Sequence, residues 1–241
     1  AGRGGSASES LMTAMLVFNA IGLHGVRYLA DPNNPYEEIA GREHIVDSIQ
    51  YPSQLLHSRV GDCDDCTVLY CSLLENLGIR TAVIDAPNHI LMAFDTGVSV
   101  FERQAVALPA GTFIERNGNL WIPVEVTLFG ESFAAAWGAA AEETRRLLAA
   151  GELGMVDVQS SWREFPPSPP AAAAAVDLPD STVVLSRFDS DWQALRQLRD
   201  QFLTREYGGT SATELTSDLA PTIIYNLVQL GEYERALSDL D

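Results

Sequence analysis

Apolar positions recur at helical spacing from about residue 9 to 29, and the turn-forming run Asp31-Pro-Asn-Asn-Pro35 then stops that helix. A second short helix is predicted from Tyr36 to Ile49, ended by Pro52. The next helix opens at Asp62, whose carboxylate suits an N-cap, and closes at Gly78 after Leu77. Val68, Leu69, Tyr70, Leu73, Leu74 and Leu77 cover most of its circumference, so it is predicted to be buried on several sides.

Past Gly78 the period turns extended. Runs at Ile79 to Asp85, His89 to Phe94 and Val98 to Arg103 read as strands joined by the short turns Ala-Pro-Asn and Asp-Thr-Gly, which implies antiparallel neighbours. Asn117-Gly118 signals a further hairpin between Thr112 to Glu115 and Leu120 to Thr127, because that dipeptide tolerates positive φ. One buried helix on an antiparallel sheet is an α+β architecture. Ser132 to Ala150 reads as an Ala-rich helix ended by Gly151, with Glu142 spaced to meet Arg145 and Arg146. Phe165-Pro-Pro-Ser-Pro-Pro170 and five alanines mark a boundary or wrapping segment, and helical patterns return from about Asp189. The predicted division is therefore a domain over 1–165, a Pro/Ala-rich segment over 166–185 and a helical extension over 186–241.

The chain's 241 residues and 46% hydrophobic content exclude wholesale disorder and suffice for one sizeable domain with a small second one. A net charge of -18 argues against nucleic acid phosphates and anionic membrane surfaces as partners. All 15 basic residues are arginine, so the chain cannot be the amine donor of its own isopeptide cross-linking. No stretch reaches the roughly 18 apolar residues a membrane span needs. The opening Ala-Gly-Arg-Gly-Gly-Ser reads as a processed form or an excised fragment, and compartment stays open.

The chemistry concentrates in Gly61-Asp-Cys-Asp-Asp-Cys66. A thiol at a helix N-terminus gains from the helix dipole and the unpaired N–H groups there, which places Cys63 as nucleophile. Asp62, Asp64 and Asp65 oppose a second anion, so a cationic imidazole is required beside the sulfur. His89, at the head of an apolar strand, takes that role and returns its proton to a leaving amine. Asp95 cannot orient it, since six residues along one strand span roughly 20 Å. Glu125 on a neighbouring strand is the orienting carboxylate, and Trp121 on the same strand face is a candidate wall of the site. The Cys63 N–H is the natural first donor to an oxyanion, with Gln54 or Tyr51 as candidates for the second.

These motifs, G-x-C-x-D-x-x-x-L before a helix ending Leu-Gly-Ile, then His at a strand start, then W-x-x-V-[DE]-x-T, resemble the transglutaminase-like superfamily of papain-type cysteine enzymes. The resemblance spans roughly Tyr51 to Thr127. It implies a transglutaminase-like or papain-like core, a Cys63, His89 and Glu125 triad, no metal or other cofactor, and a protein or peptide substrate. Members hydrolyse peptide or amide bonds or transfer acyl groups to amines, and bacterial ones are more often proteases or amidases. The family's usual third residue is Asp where this chain has Glu125, and an aromatic often follows the histidine where Ile90 stands. Residues Ile223 to Leu237 resemble the hinge of a tetratricopeptide repeat, with Gly231, Tyr233 and Ala236 on the G-x-Y-x-x-A turn; this implies repeats that need neighbours and a protein partner.

Other residues of the same types have simpler readings. Cys66 and Cys71 lie deeper on the helix and read as small core residues, with Cys66 as fallback nucleophile. Cys63-x-x-Cys66 is also half a zinc site whose second half, short of Cys71 and His57 folding back, is missing. His24, His44 and His57 read as surface or capping residues. The rival from another class is a catalytically silent copy of the same fold that binds peptides.

Overall fold

In the computed structural model, residues 7–30, 49–101, 111–168 and 176–207 are described, with side chains from 9 through 198. The predicted helix up to residue 48, the end of the third predicted strand beyond Phe101, and the repeat-like segment 223–237 lie outside the described residues.

The chain folds as α+β around a five-stranded, all-antiparallel sheet. In chain order the elements are α1 (Ala7–His24), β1 (Arg27–Tyr28), α2 (Pro52–Ser58), β2 (Val60–Gly61), α3 (Cys63–Asn76), β3 (Thr81–Ala86) and β4 (His89–Ser99). There follow β5 (Ile114–Arg116), β6 (Asn119–Val124), a 3-10 turn (Val126–Leu128), α4 (Phe133–Ala150), β7 (Gly154–Asp157), α5 (Val158–Ser161) and α6 (Ser181–Tyr207). Strand order in the main sheet is β5-β6-β4-β3-β7, while β1 and β2 form a separate parallel pair.

The two faces of the sheet carry different cores. Met92, Phe94, Ile122 and Val124 pack in the main cluster with Cys66, Leu69, Tyr70 and Leu74 of α3 and with Leu11, Met15, Phe18 and Ile21 of α1. Alternation sends the intervening residues the other way, so Ala82, Ile84, Leu91, Ala93, Ile114 and Trp121 form a second cluster with Leu147 of α4. Phe18 knits the helices together: its ring centroid lies 6.1 Å from Tyr70, 5.1 Å from Phe129 and 5.5 Å from Phe133. The buried Tyr70 hydroxyl donates to Ala14 O at 2.7 Å, which satisfies the one polar atom of that ring.

α1 stops sooner than its apolar pattern suggests. Gly25, at φ +97°, ends it after His24, and the apolar residues beyond belong to β1 and its flanks. Near that end, Gly22 lies against the backbone of Gly130: an added Cβ would sit 2.5 Å from Gly130 N. Both contacting groups are main chain and cannot swing aside. Gly22→Ala is therefore expected to destabilise the fold by about 1–3 kcal/mol despite alanine's better helix propensity, measured by urea unfolding. An unchanged midpoint would show that the two segments are not in contact.

Three predicted strands merge into two. Asp95-Thr-Gly is not a turn; β4 passes straight through it, with an irregular register between Asp95 and Ser99. Side-chain bonds explain why: Asp95 accepts from Gly97 N at 2.8 Å and from Asn119 Nδ2, and Thr96 Oγ1 donates to Leu120 O at 2.7 Å. The turn formers fasten a bulge to β6 instead of reversing the chain. Asn117 and Gly118 do both take positive φ, at 52° and 81°, and make the β5-β6 hairpin. β7, absent from the sequence reading, pairs with β3 and ends at Asp157, which caps α5 through Ser160 N and meets Arg80 at 2.5 Å.

On α4, Ser132 caps the first turn and Gly151 closes the last. Its ion pair joins Arg146 to Glu143 and not to Glu142 as expected. α6 begins at Ser181, inside the predicted linker, and is docked rather than separate. Its Phe188, Trp192 and Leu195 pack on the main cluster, and buried Asp191 accepts from Phe133 N at 3.1 Å, capping α4 from outside. No helix among the described residues is long and apolar enough to cross a membrane.

Candidate functional site

Three local devices bring Cys63, His89 and Glu125 to one end of the sheet. Asp62 Oδ1 accepts from Asp65 N at 3.2 Å and starts α3, which sets Cys63 as its first residue. The two-residue turn Pro87-Asn88, with Asn88 at φ 58°, reverses β3 into β4 and puts His89 at the strand's first position, opposite Ala86. β6 leaves the ladder one residue after Val124, which pairs with Met92, and Glu125 becomes the N-cap of the 3-10 turn.

Continuing that register would place Glu125 opposite Leu91 and diagonal to His89, where side chains about 7–8 Å apart meet only if one is long. The glutamate bridges the gap. His89 Nε2 lies 2.7 Å from Glu125 Oε2, and the other carboxylate oxygen accepts from Thr127 Oγ1 at 2.5 Å and Thr127 N at 3.0 Å. The methylene that distinguishes Glu125 from the expected Asp is thus used to span the diagonal. Thr127 had no assigned role in the sequence; a hydroxyl two residues after an acid, able to bond back to it, was the available signal.

With Nε2 engaged by Glu125, the ring is also under the influence of the Cys63 thiol, the first cause of its raised pKa. Cys63 first, and the Glu125 bond second, hold the imidazole's pKa up at about 10 against partial burial. Burial alone would raise Glu125, but the bonds from His89 and Thr127 and the imidazolium charge outweigh it and leave the carboxyl below its usual value. A raised histidine stabilises the fold fully below its ordinary 6.5, and that contribution is lost as pH rises through about 10. A lowered carboxyl contributes above its ordinary 4.5 and is lost as pH falls through its folded value. The pair supports the fold best between these, from pH 4.5 to 6.5. Comparing the melting temperatures of wild type and His89→Gln across pH should give the widest gap in that window, narrowing toward pH 10; a gap independent of pH contradicts the pairing.

The acidic surroundings of Cys63 are partly spent on hydrogen bonds. Asp65 accepts from Gln50 N at 2.6 Å and from Gln50 Nε2 at 2.5 Å, and Asp62 is the helix cap. Asp64 stays close, with the Cys63 thiol donating toward its Oδ1 at 3.9 Å. Gln50 was not singled out in the sequence, since nothing local ties it to a residue fifteen positions on. Gly61 packs against the same anchor: an added Cβ would lie 2.8 Å from Asp65 Oδ2 and 2.7 Å from Leu55 Cδ1.

Two sequence expectations need correction, those for Trp121 and Cys66. Trp121 is fully buried in the second cluster, its indole N–H donating to Arg116 O at 3.2 Å and the Arg80 guanidinium lying over its ring, so it is a core residue and not a wall. Gln54 and Tyr51 bond each other, Gln54 Oε1 accepting from Tyr51 N at 2.7 Å to cap α2, and the Tyr51 hydroxyl approaches Ser168 at 3.5 Å. Both line an open groove of about 670 Å³ with Gln50, Ser53, His57 and Ser58, and neither hydrogen-bonds the triad among the described residues. Cys66 is not a reserve nucleophile: it is buried in the core, and that burial, followed by the neighbouring carboxylates, pushes its thiol up to about 12.

Cys71 is likewise buried and pushed to about 12. Among the described residues no group of three or more His, Cys, Asp or Glu side chains could hold a metal ion. His24 is buried between two carbonyls, Leu56 O at 2.7 Å and Asp177 O at 3.0 Å, and ties α2 and the approach to α6 onto the end of α1. No protein-family model matches the chain, and no curated protein or solved structure matches it significantly.

Proposed function

We propose that this chain is a thiol-dependent hydrolase or acyltransferase of transglutaminase-like type, acting on peptide or amide bonds through a covalent thioester, with hydrolysis as its main outcome. The observation that carries this reading is the His89 ring bonded to the Glu125 carboxylate at 2.7 Å, with the Cys63 thiol the first cause of the ring's raised pKa. Such a ring favours an imidazolium beside a thiolate, at a helix N-terminus whose dipole adds to the effect. The thiolate attacks the carbonyl carbon, the imidazolium protonates the leaving amine, and the now neutral ring activates water against the thioester. Glu125 keeps the ring oriented and stabilises its charge through both steps. No cofactor is required for this sequence of steps.

A second reading, a silent copy of the fold that binds peptides, is favoured by the Asp64 carboxylate 3.9 Å from the sulfur and by the open groove beside α2. Comparing protein fragments generated in a proteome by wild type and by Cys63→Ala separates the two. New termini or modified side chains that need Cys63 support the enzyme; capture of the same peptides by both proteins, with no new products, supports the binding module.

A further inference from the structure

We propose that Tyr28 is a further catalytic residue of this site, its phenol O–H donating a hydrogen bond to the oxyanion that forms when the Cys63 sulfur attacks a carbonyl. The inference deepens the hydrolase reading and rests on it. It is an alternative to Gln54 and Tyr51, which line the groove beside α2.

The placement comes from β1, a strand of only two residues that the helical pattern of the first thirty residues conceals. Tyr28 pairs in parallel with Gly61, two residues before Cys63, and the pairing is fixed by Arg27 N donating to Arg59 O and Leu29 N to Gly61 O, each at 2.9 Å. The Arg27 side chain of β1 is fastened to the end of α1 and lies against the turn behind Glu125. Arg27 Nη1 donates to Gly22 O and Val26 O, and its guanidinium lies over Gly130, where an added Cβ would be 3.0 Å from Nη1. β1 is thus wedged between the strand that leads into the nucleophile and the turn that carries the orienting acid.

Adjacent residues of an extended strand point to opposite sides, so Arg27 facing Gly130 turns Tyr28 away from that contact. The residue is 42% exposed, which a group that must meet substrate requires. Burial, then the charges of Cys63, Asp62, Glu125 and Cys66, raise the phenol's pKa. The pairing with Gly61 brings the ring to the approach to Cys63, and the raised pKa keeps it protonated, hence a donor, over the range in which His89 carries its proton.

In the step itself, the sulfur–carbon bond forms and the carbonyl π pair moves onto oxygen. Tyr28 O–H and the Cys63 backbone N–H donate to that oxygen without transferring a proton. When the pair returns, the carbon–nitrogen bond breaks and the proton on His89 goes to the departing amine. The phenol ends as it began.

Two probes isolate this role. Alkylation by iodoacetamide displaces iodide at a saturated carbon and forms no oxyanion, whereas acylation by p-nitrophenyl acetate passes through one. Tyr28→Phe is expected to slow acylation roughly 10²-fold, the usual effect of losing one oxyanion donor, while alkylation of Cys63 keeps the wild-type rate. If both rates stay at wild-type values, or both fall in proportion, the assignment is overturned, because the phenol then does nothing or acts on the thiol and the fold. Should the wild type acylate no faster than free cysteine, the hydrolase reading fails and Tyr28 fails with it, a result distinct from failure in the variant alone.

Discussion

Replacing His89 by Gln is expected to lower turnover of an acyl substrate by roughly 10³–10⁴-fold, with the fold intact near neutral pH. The ring has two duties in the proposed chemistry: stabilising the thiolate and delivering a proton to the leaving group. Glutamine retains hydrogen-bonding capacity toward Glu125 but can do neither. The pH profiles should part as well. In the wild type the proton that His89 gives to the leaving group is lost as pH rises through about 10. In the variant that alkaline fall tied to His89 should be absent. Steady-state kinetics from acid to alkaline pH read both effects; a variant within tenfold of wild type would remove His89 from the mechanism.

Glu125→Gln carries the next largest effect, a loss of roughly 10²–10⁴-fold. It keeps the length of the side chain and removes its charge, so the imidazolium loses its electrostatic partner and the bonds from Thr127 lose strength. Glu125→Asp makes the complementary change. It keeps the charge but withdraws the methylene that spans the diagonal to His89, and it is expected to cost one to two orders of magnitude, on the order of 10–100-fold, through misorientation. If the aspartate variant were as active as wild type, the ladder argument for the glutamate would be wrong. NMR titration of the His89 ring gives a second readout: its pKa should fall from about 10 in the glutamine variant, because one of its two main supports is gone.

A substitution beside the triad tests how rigidly the nucleophile is carried. Gly61→Ala would drive a methyl into Asp65 and Leu55, disturbing the anchor that Gln50 holds and the start of α3 two residues later. Activity is expected to fall more than tenfold, on the order of 10–100-fold, while unfolding shows a smaller change, since a small misplacement at the nucleophile costs more in rate than in packing.

What could be read from the chain divides along physical lines. Residues that act through their own immediate neighbours were legible: Asp62 as a cap, Asn117-Gly118 as a hairpin, Ser132 and Gly151 as the ends of α4. The order of thiol, imidazole and carboxylate was legible too, because each follows a recognisable change of period. Missed features depend on distant partners. Asp95-Thr96-Gly97 carries turn chemistry, yet Asn119 and Leu120 turn it into a bulge. Alternation places Trp121 with Glu125, but only the packing of Arg80, Ile114 and Leu147 shows that the face is covered there. β1 is too short to leave a period, and Gln50 and Tyr28 reach the site only once β1, β2 and α2 are assembled. Trp192 and Asp191 place α6 on the core for the same reason: its mate is α1, some 170 positions away in sequence by the numbering of α1 and α6.

Labelling by iodoacetamide as a function of pH, with the modified cysteine located by peptide mapping, probes the triad most directly. Cys63 alone is expected to react in the folded protein, and His89→Gln is expected to slow that reaction and alter its pH dependence while buried Cys66 and Cys71 stay unmodified in both. Reaction spread over all three cysteines, or a Cys63 rate that tracks free cysteine with pH in both wild type and variant, would contradict the triad.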